Sequence, residues 1–159
     1  MKKIAVLLAS LILLAALASC GGSSLPEYTA REIADEFDKH IAAVNDLGEP
    51  GDDYLSAVVG VDPAGIDGYV LKLQVAGTGA DSYGVFVMKD GNDTSSVRDA
   101  LTKYITDIQT NYSNFNYLPE EESKIMNAEI WSEGKYIYFV VLGDAERNSV
   151  NEAFKSMMK

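Results

Sequence analysis

Two stretches, Tyr83–Met88 (YGVFVM) and Tyr136–Leu142 (YIYFVVL), are apolar at nearly every position. A strand sends alternate side chains to opposite sides of its sheet, so a strand that is apolar throughout must be covered on both faces. These two segments therefore belong at the centre of a sheet, with other elements packed above and below it. No other feature limits the possible folds as much.

The remaining elements follow from periodicity. Tyr69 to Val75 alternates, with Tyr69, Leu71, Leu73 and Val75 on one side and Val70, Lys72 and Gln74 on the other. That is the pattern of a half-buried strand at a sheet edge. Ala128 to Ser132 predicts a further strand, and Glu133-Gly134 a tight turn into Tyr136. A first helix is predicted from Thr29 to Asp46. It opens on a capping box, Thr29 with Glu32, and carries Ile33, Phe37, Ile41 and Val44 at helical spacing. A long helix is predicted from about Thr94 to Asn114, with the stripe Val97, Leu101, Tyr104, Ile105, Ile108 and Tyr112. A last helix carries Val150, Phe154, Met157 and Met158. Asp52 to Gly60 and Glu120 to Lys124 read as short helical pieces.

Sliding the chain by 53 residues lays Tyr83–Ile105 over Tyr136–Met158. Tyr83/Tyr136, Phe86/Phe139, Val87/Val140, Ser96/Ser149, Val97/Val150 and Ala100/Ala153 coincide. Two ββα pseudo-repeats predict an α+β fold. Its sheet would be four-stranded and antiparallel, of order 1-2-4-3, permuted ferredoxin-like, with an additional N-terminal helix. The two repeat helices are expected on one face and the first helix on the other. The expected core seam joins Val97, Leu101 and Ile105 to Val85, Val87, Phe139 and Val141.

The N-terminus predicts location. Met1-Lys2-Lys3 precedes an apolar run, Ile4 to Ala18, broken only by Ser10. It falls short of the about 20 apolar residues a permanent span needs, and has the form of a secretory signal. Leu17-Ala18-Ser19-Cys20 resembles a bacterial lipobox. The resemblance implies cleavage between Ser19 and Cys20 and a diacylglyceryl group on the Cys20 sulfur. Two acyl chains suffice for stable anchoring. The expected layout is a signal peptide over residues 1–19, a lipid-anchored flexible tether over 20–28, and a single α+β domain over 29–159. Cys20 is the only cysteine in the chain, so no internal disulfide is available.

Charge narrows the partners. Without Lys2 and Lys3, the 13 basic residues become 11 against 24 acidic ones, a formal net charge of −13. Phosphate contacts need clustered Lys and Arg, so no nucleic acid is expected as a partner. The expected membrane contact is the lipid anchor, at the extracytoplasmic face of the cell membrane.

Catalytic chemistry is sparse. The sole histidine, His40, reads as a solvated side chain on the first helix. Acidic residues fall in runs: Asp52-Asp53, Asp90-Gly91-Asn92-Asp93 and Glu120-Glu121-Glu122. Paired carboxylates can hydrolyse glycosidic bonds, but capping and solvation explain each run. No metal site and no cofactor is implied. Among the aromatics, Trp131 on a strand and Tyr117 after the long helix are the candidates for a partner or ligand surface.

The segments YTAREIADEF, SYGVFVMKDG and NYLPEEESKIMNAEIWSEGKYIYFVVLGD, following a signal and lipobox, resemble a bacterial lipoprotein family catalogued as domain of unknown function 4358. The similarity covers roughly Tyr28 to Lys159, with Tyr117-Leu118-Pro119 and Gly134 as the matching parts. The family has no assigned activity, so the resemblance implies the anchor and the single domain but no catalytic residue. The expected function is a membrane-tethered binding or interaction module for an envelope protein or small ligand. The alternative is a small cell-surface hydrolase using paired carboxylates.

Overall fold

The computed structural model describes residues 25–90, 92–115 and 119–159. Five antiparallel strands form one open sheet: β1 (Leu47–Gly48), β2 (Ile66–Gln74), β3 (Ser82–Met88), β4 (Glu129–Glu133) and β5 (Tyr136–Val141), in the order β1-β2-β3-β5-β4. The two strands that are apolar throughout are central, and every residue of both is buried. The main helices are α1 (Ala30–Asp38), α3 (Ser95–Phe115) and α5 (Asp144–Met157). Two short ones, α2 (Asp52–Tyr54) and α4 (Glu122–Met126), lie in connections, and α2 runs on into a wider turn at Leu55–Val59.

The expected four-stranded sheet is corrected to five. β1 pairs with β2, so β2 is not an edge. Two residues carry no readable alternation. The pairing is held by tertiary contacts instead: the backbone amides of Val75 and Ala76 donate to the Asp46 carbonyl at 2.9 and 3.2 Å. For the same reason α1 ends at Asp38 rather than Asp46. The amides of Lys39, His40 and Ile41 each reach back only three residues. That tightening turns the chain toward the sheet edge while Ile41 stays buried.

Pleat parity divides the core in two. One face carries Leu71, Phe86, Met88, Ile137, Phe139 and Val141, covered by α3 through Val97, Leu101, Tyr104 and Ile105. Leu55, Val59 and Val61 pack there as well. The other carries Val70, Tyr83, Val85, Val87, Tyr136, Tyr138 and Val140, covered by α1 through Ile33, Ala34 and Phe37 and by α5 through Val150 and Phe154.

Two expectations fail here. Val85 and Val87 face α1 and α5, not the long helix. The two repeat helices lie on opposite faces, unlike the permuted ferredoxin-like arrangement. The strands do keep the repeat: Val85 pairs directly with Tyr138, its counterpart 53 residues on. The connections break it. After β3 the chain runs through residues 89–94 before α3 starts, whereas only Leu142 and Gly143 separate β5 from α5. With Leu142 itself buried on the α1 side, so short a connection commits α5 to that side.

Candidate functional site

An open groove of about 740 Å³ lies between α1 and α5. Glu36 lines it from α1 and His40 from the turn that follows. Asn148, Ser149, Glu152 and Met157 line it from α5, and Tyr28 from the segment before α1. Both helices spend their apolar stripes on the sheet, so the groove receives what is left, a mixed polar surface.

Several of its polar groups are engaged locally. His40 Nε2 is 3.7 Å from Glu36 Oε1, and Glu36 Oε2 accepts from Lys39 Nζ at 2.5 Å. That hydrogen bond holds the Glu36 carboxyl below the usual carboxylate range. The Ser149 hydroxyl donates back to the Ala145 carbonyl at 3.0 Å, and Glu152 pairs with Lys155 at 3.0 Å. The groove can therefore offer hydrogen bonds and apolar contact to a ligand. Ser149 and His40 do not form a base-activated pair there, because the Ser149 hydroxyl donates to a backbone carbonyl and not to His40.

The acidic runs serve three separate places. Asp52 accepts a short hydrogen bond from the Tyr69 hydroxyl, which is thereby pushed up to about 12. Asp93 accepts from the Ser95 amide at 2.9 Å and the Ser95 hydroxyl at 2.6 Å at the start of α3. These bonds keep its carboxyl low. Glu121 is buried. It accepts from the Ala80 amide at 3.0 Å and pairs with Lys124 at 2.9 Å. Burial pushes its carboxyl up, but the Lys124 and Ala80 hydrogen bonds outweigh that and leave it lowered. Lys124 also meets Asp81 at 2.9 Å, and there burial wins, so the Asp81 carboxyl is raised. Gly91 lies outside the described residues. Among the described residues, no cluster of His, Cys, Asp and Glu is suited to a metal ion.

Trp131 sits on the edge strand β4, 39% exposed. Its indole N–H donates to Glu129 Oε2 at 2.9 Å, and Lys155 Nζ stands 5.1 Å from the ring centroid. Glu129 also accepts from Asn151 Nδ2 at 2.9 Å, and Asn151 accepts from the Tyr138 hydroxyl at 2.7 Å. The exposed tryptophan is thus tied to the buried aromatic cluster. Tyr117, Ser19 and Cys20 lie outside the described residues.

Periodicity gave no warning of one feature, the docking of residues 25–28 onto the β4–β5 hairpin. The Tyr136 hydroxyl, on a side chain only 1% exposed, donates to the Pro26 carbonyl and accepts from the Tyr28 amide, each at 2.9 Å. Lys135 pairs with Glu27 at 3.1 Å. Leu25 lies against Gly134, where an added Cβ would come within 2.4 Å of Leu25 Cδ1. Gly134 also has φ +55, the left-handed conformation that favours glycine. The tyrosine reads as one more apolar strand residue in sequence. Only the fold shows that its hydroxyl needs a partner.

Residues 44–142 match the family model described as Domain of unknown function (DUF4358). The match takes in all five strands and α3, and leaves α1, α5 and hence the groove outside it. No curated protein and no solved structure matches the chain.

Proposed function

The chain belongs to the family of the domain of unknown function DUF4358, and on that footing we propose that it is a membrane-tethered, extracytoplasmic lipoprotein whose domain is a binding module. In this reading the chain is cleaved between Ser19 and Cys20, and Cys20 carries the lipid. The ligand or envelope partner binds in the groove between α1 and α5. The observation that carries the reading is that groove, large enough for a small ligand or a short peptide segment and lined by groups suited to hydrogen bonding.

A second reading, a small cell-surface hydrolase, is favoured by one observation: Glu36 and Glu152 line the same groove. Each, however, is paired with a lysine three residues further on, which suits a fixed negative charge better than a carboxyl kept protonated as a general acid.

Photo-crosslinking separates the two. A photoreactive side chain at Asn148 should capture a discrete partner or ligand in native membranes, and Ser149→Trp should abolish the capture by filling the groove. Hydrolysis of a cell-wall glycan that is lost in Glu36→Gln would favour the enzyme. Capture unaffected by Ser149→Trp would remove the groove from the proposal.

A further inference from the structure

The lipoprotein reading alone leaves the domain free to tumble on a flexible tether. The docking of residues 25–28 argues otherwise. Nine tether residues, 20–28, would reach about 30 Å if free, but docking leaves only residues 20–24, about 17 Å of chain. The chain between the lipid and the strap then meets the domain at a fixed point, the turn between β4 and β5.

Strand register says what lies at each end. Glu133, Tyr136, Val87 and Ile66–Gly68 share the hairpin end. Val141, Ser82 and Gln74 share the other, together with the loop at residues 75–80. β5 separates the two ends by six residues, about 20 Å. The docking bonds are built to last. The Tyr136 hydroxyl has both its donor and its acceptor capacity used by the strap backbone, so releasing the strap would exchange two protein hydrogen bonds for bonds to water. Leu25 adds an apolar contact where only glycine leaves room. The Lys135–Glu27 pair adds little, since Glu27 is largely exposed.

We infer that Leu25–Tyr28 is an orienting strap. It holds the β4–β5 hairpin end of the sheet against the lipid surface and presents the end carrying residues 75–80 outward. Tyr28, the last residue of the strap, is also part of the groove's lining, so the strap and the groove adjoin. The inference rests on the lipoprotein reading, and deepens it by assigning which surface faces the bilayer. The bilayer is engaged through the anchor rather than by charge, because the chain carries 24 acidic residues against 13 basic ones.

The test separates the strap from natural acylation. The chain from residue 20 is coupled to phosphatidylcholine vesicles through a lipid cyanobenzothiazole, which consumes both the amine and the thiol of an N-terminal cysteine. A donor dye is placed on Glu133→Cys or on Thr78→Cys, both exposed positions. Energy transfer to a headgroup acceptor should be about twofold or more stronger from position 133, as expected across about 20 Å of sheet. Leu25→Ser, alone or with Tyr136→Phe, should bring the two signals together. Leu25→Ser leaves the core intact, so it tests the strap even if Tyr136→Phe unfolds the domain. Equal transfer from both labels, or a contrast unchanged by Leu25→Ser, would overturn the inference. Mass spectrometry of the native N-terminus reports separately on the lipoprotein reading: an unacylated Cys20 would sink that reading whatever the vesicle result.

Discussion

Phe37 of α1 meets Tyr138 of β5 edge-on, with ring centroids 5.1 Å apart and planes at 72°. Tyr83 and Phe154 complete the cluster at 5.7 and 6.5 Å from Phe37. Edge-to-face rings gain from their quadrupoles beyond the area they bury. Phe37 is fully buried, so α1 is part of the fold. Phe37→Ala should cost about 3–5 kcal/mol in urea unfolding and expose apolar surface to a dye such as ANS. An unchanged midpoint without dye binding would reduce α1 to a spacer.

Leu101 anchors the opposite face. It is fully buried between α3 and the strands. Leu101→Ala should cost about 2–5 kcal/mol. Val85 lies on the α1 side, so double mutation of Leu101 and Val85 should be close to additive. A coupling above about 0.5 kcal/mol would mean that the two halves of the core communicate through the sheet.

Gly134→Ala meets two obstacles, a positive φ and Leu25 Cδ1. The backbone cost is about 1–2 kcal/mol. Leu25→Ala in the same chain should relieve the overlap but not the backbone strain. If the double variant recovers full stability, the left-handed backbone at residue 134 has no cost.

The Glu121 carboxyl is depressed in the folded state. A depressed acid contributes stability above its unfolded pKa and loses it as pH falls through its folded pKa. Glu121→Gln should therefore cost about 1–3 kcal/mol at pH 7, through the weakened bonds to Lys124 and Ala80. The gap from wild type should close as pH drops below the usual glutamate range. Asp81 acts oppositely: its carboxyl is raised, so its contribution is present at acid pH and lost as pH rises through its folded pKa. Urea midpoints from pH 7 to 3 would show both slopes. A Glu121→Gln gap that widens on acidification would contradict the assignment.

Acylation of Cys20 is checked directly. Mass spectrometry of membrane-extracted protein should find a mature N-terminus at Cys20 carrying a diacylglyceryl group. Membrane-bound chain beginning at Met1 and unmodified would contradict it.

The local patterns carried much of the fold. Alternation and uninterrupted apolarity placed β3 and β5 at the centre, because a strand's two faces are written in its odd and even residues. The capping box at Thr29 and Glu32 closes as the sequence predicts, with the Glu32 amide 3.2 Å from the Thr29 hydroxyl and the Thr29 amide 2.8 Å from Glu32. The α3 stripe buries Val97, Leu101, Tyr104, Ile105 and Tyr112, all of which helical spacing selects.

Other features were settled by tertiary contact alone. The face taken by α5 depends on how few residues leave β5, a distance in space that the apolar stripe of Val150 and Phe154 does not encode. β1 forms by pairing Leu47 and Gly48 with Gln74 and Leu73, beside the Asp46 carbonyl that accepts from the amides of Val75 and Ala76. The groove is bounded by the polar backs of two helices far apart in the chain, and its volume reflects their separation across a shared sheet. Tyr136 shows the same division: its apolar ring belongs to a pattern visible in the strand, while the hydroxyl acquires its role from Pro26 and Tyr28, over a hundred residues away. Periodicity reports which side of an element is buried; which element buries it, and what remains at the surface, depends on packing between distant parts of the chain.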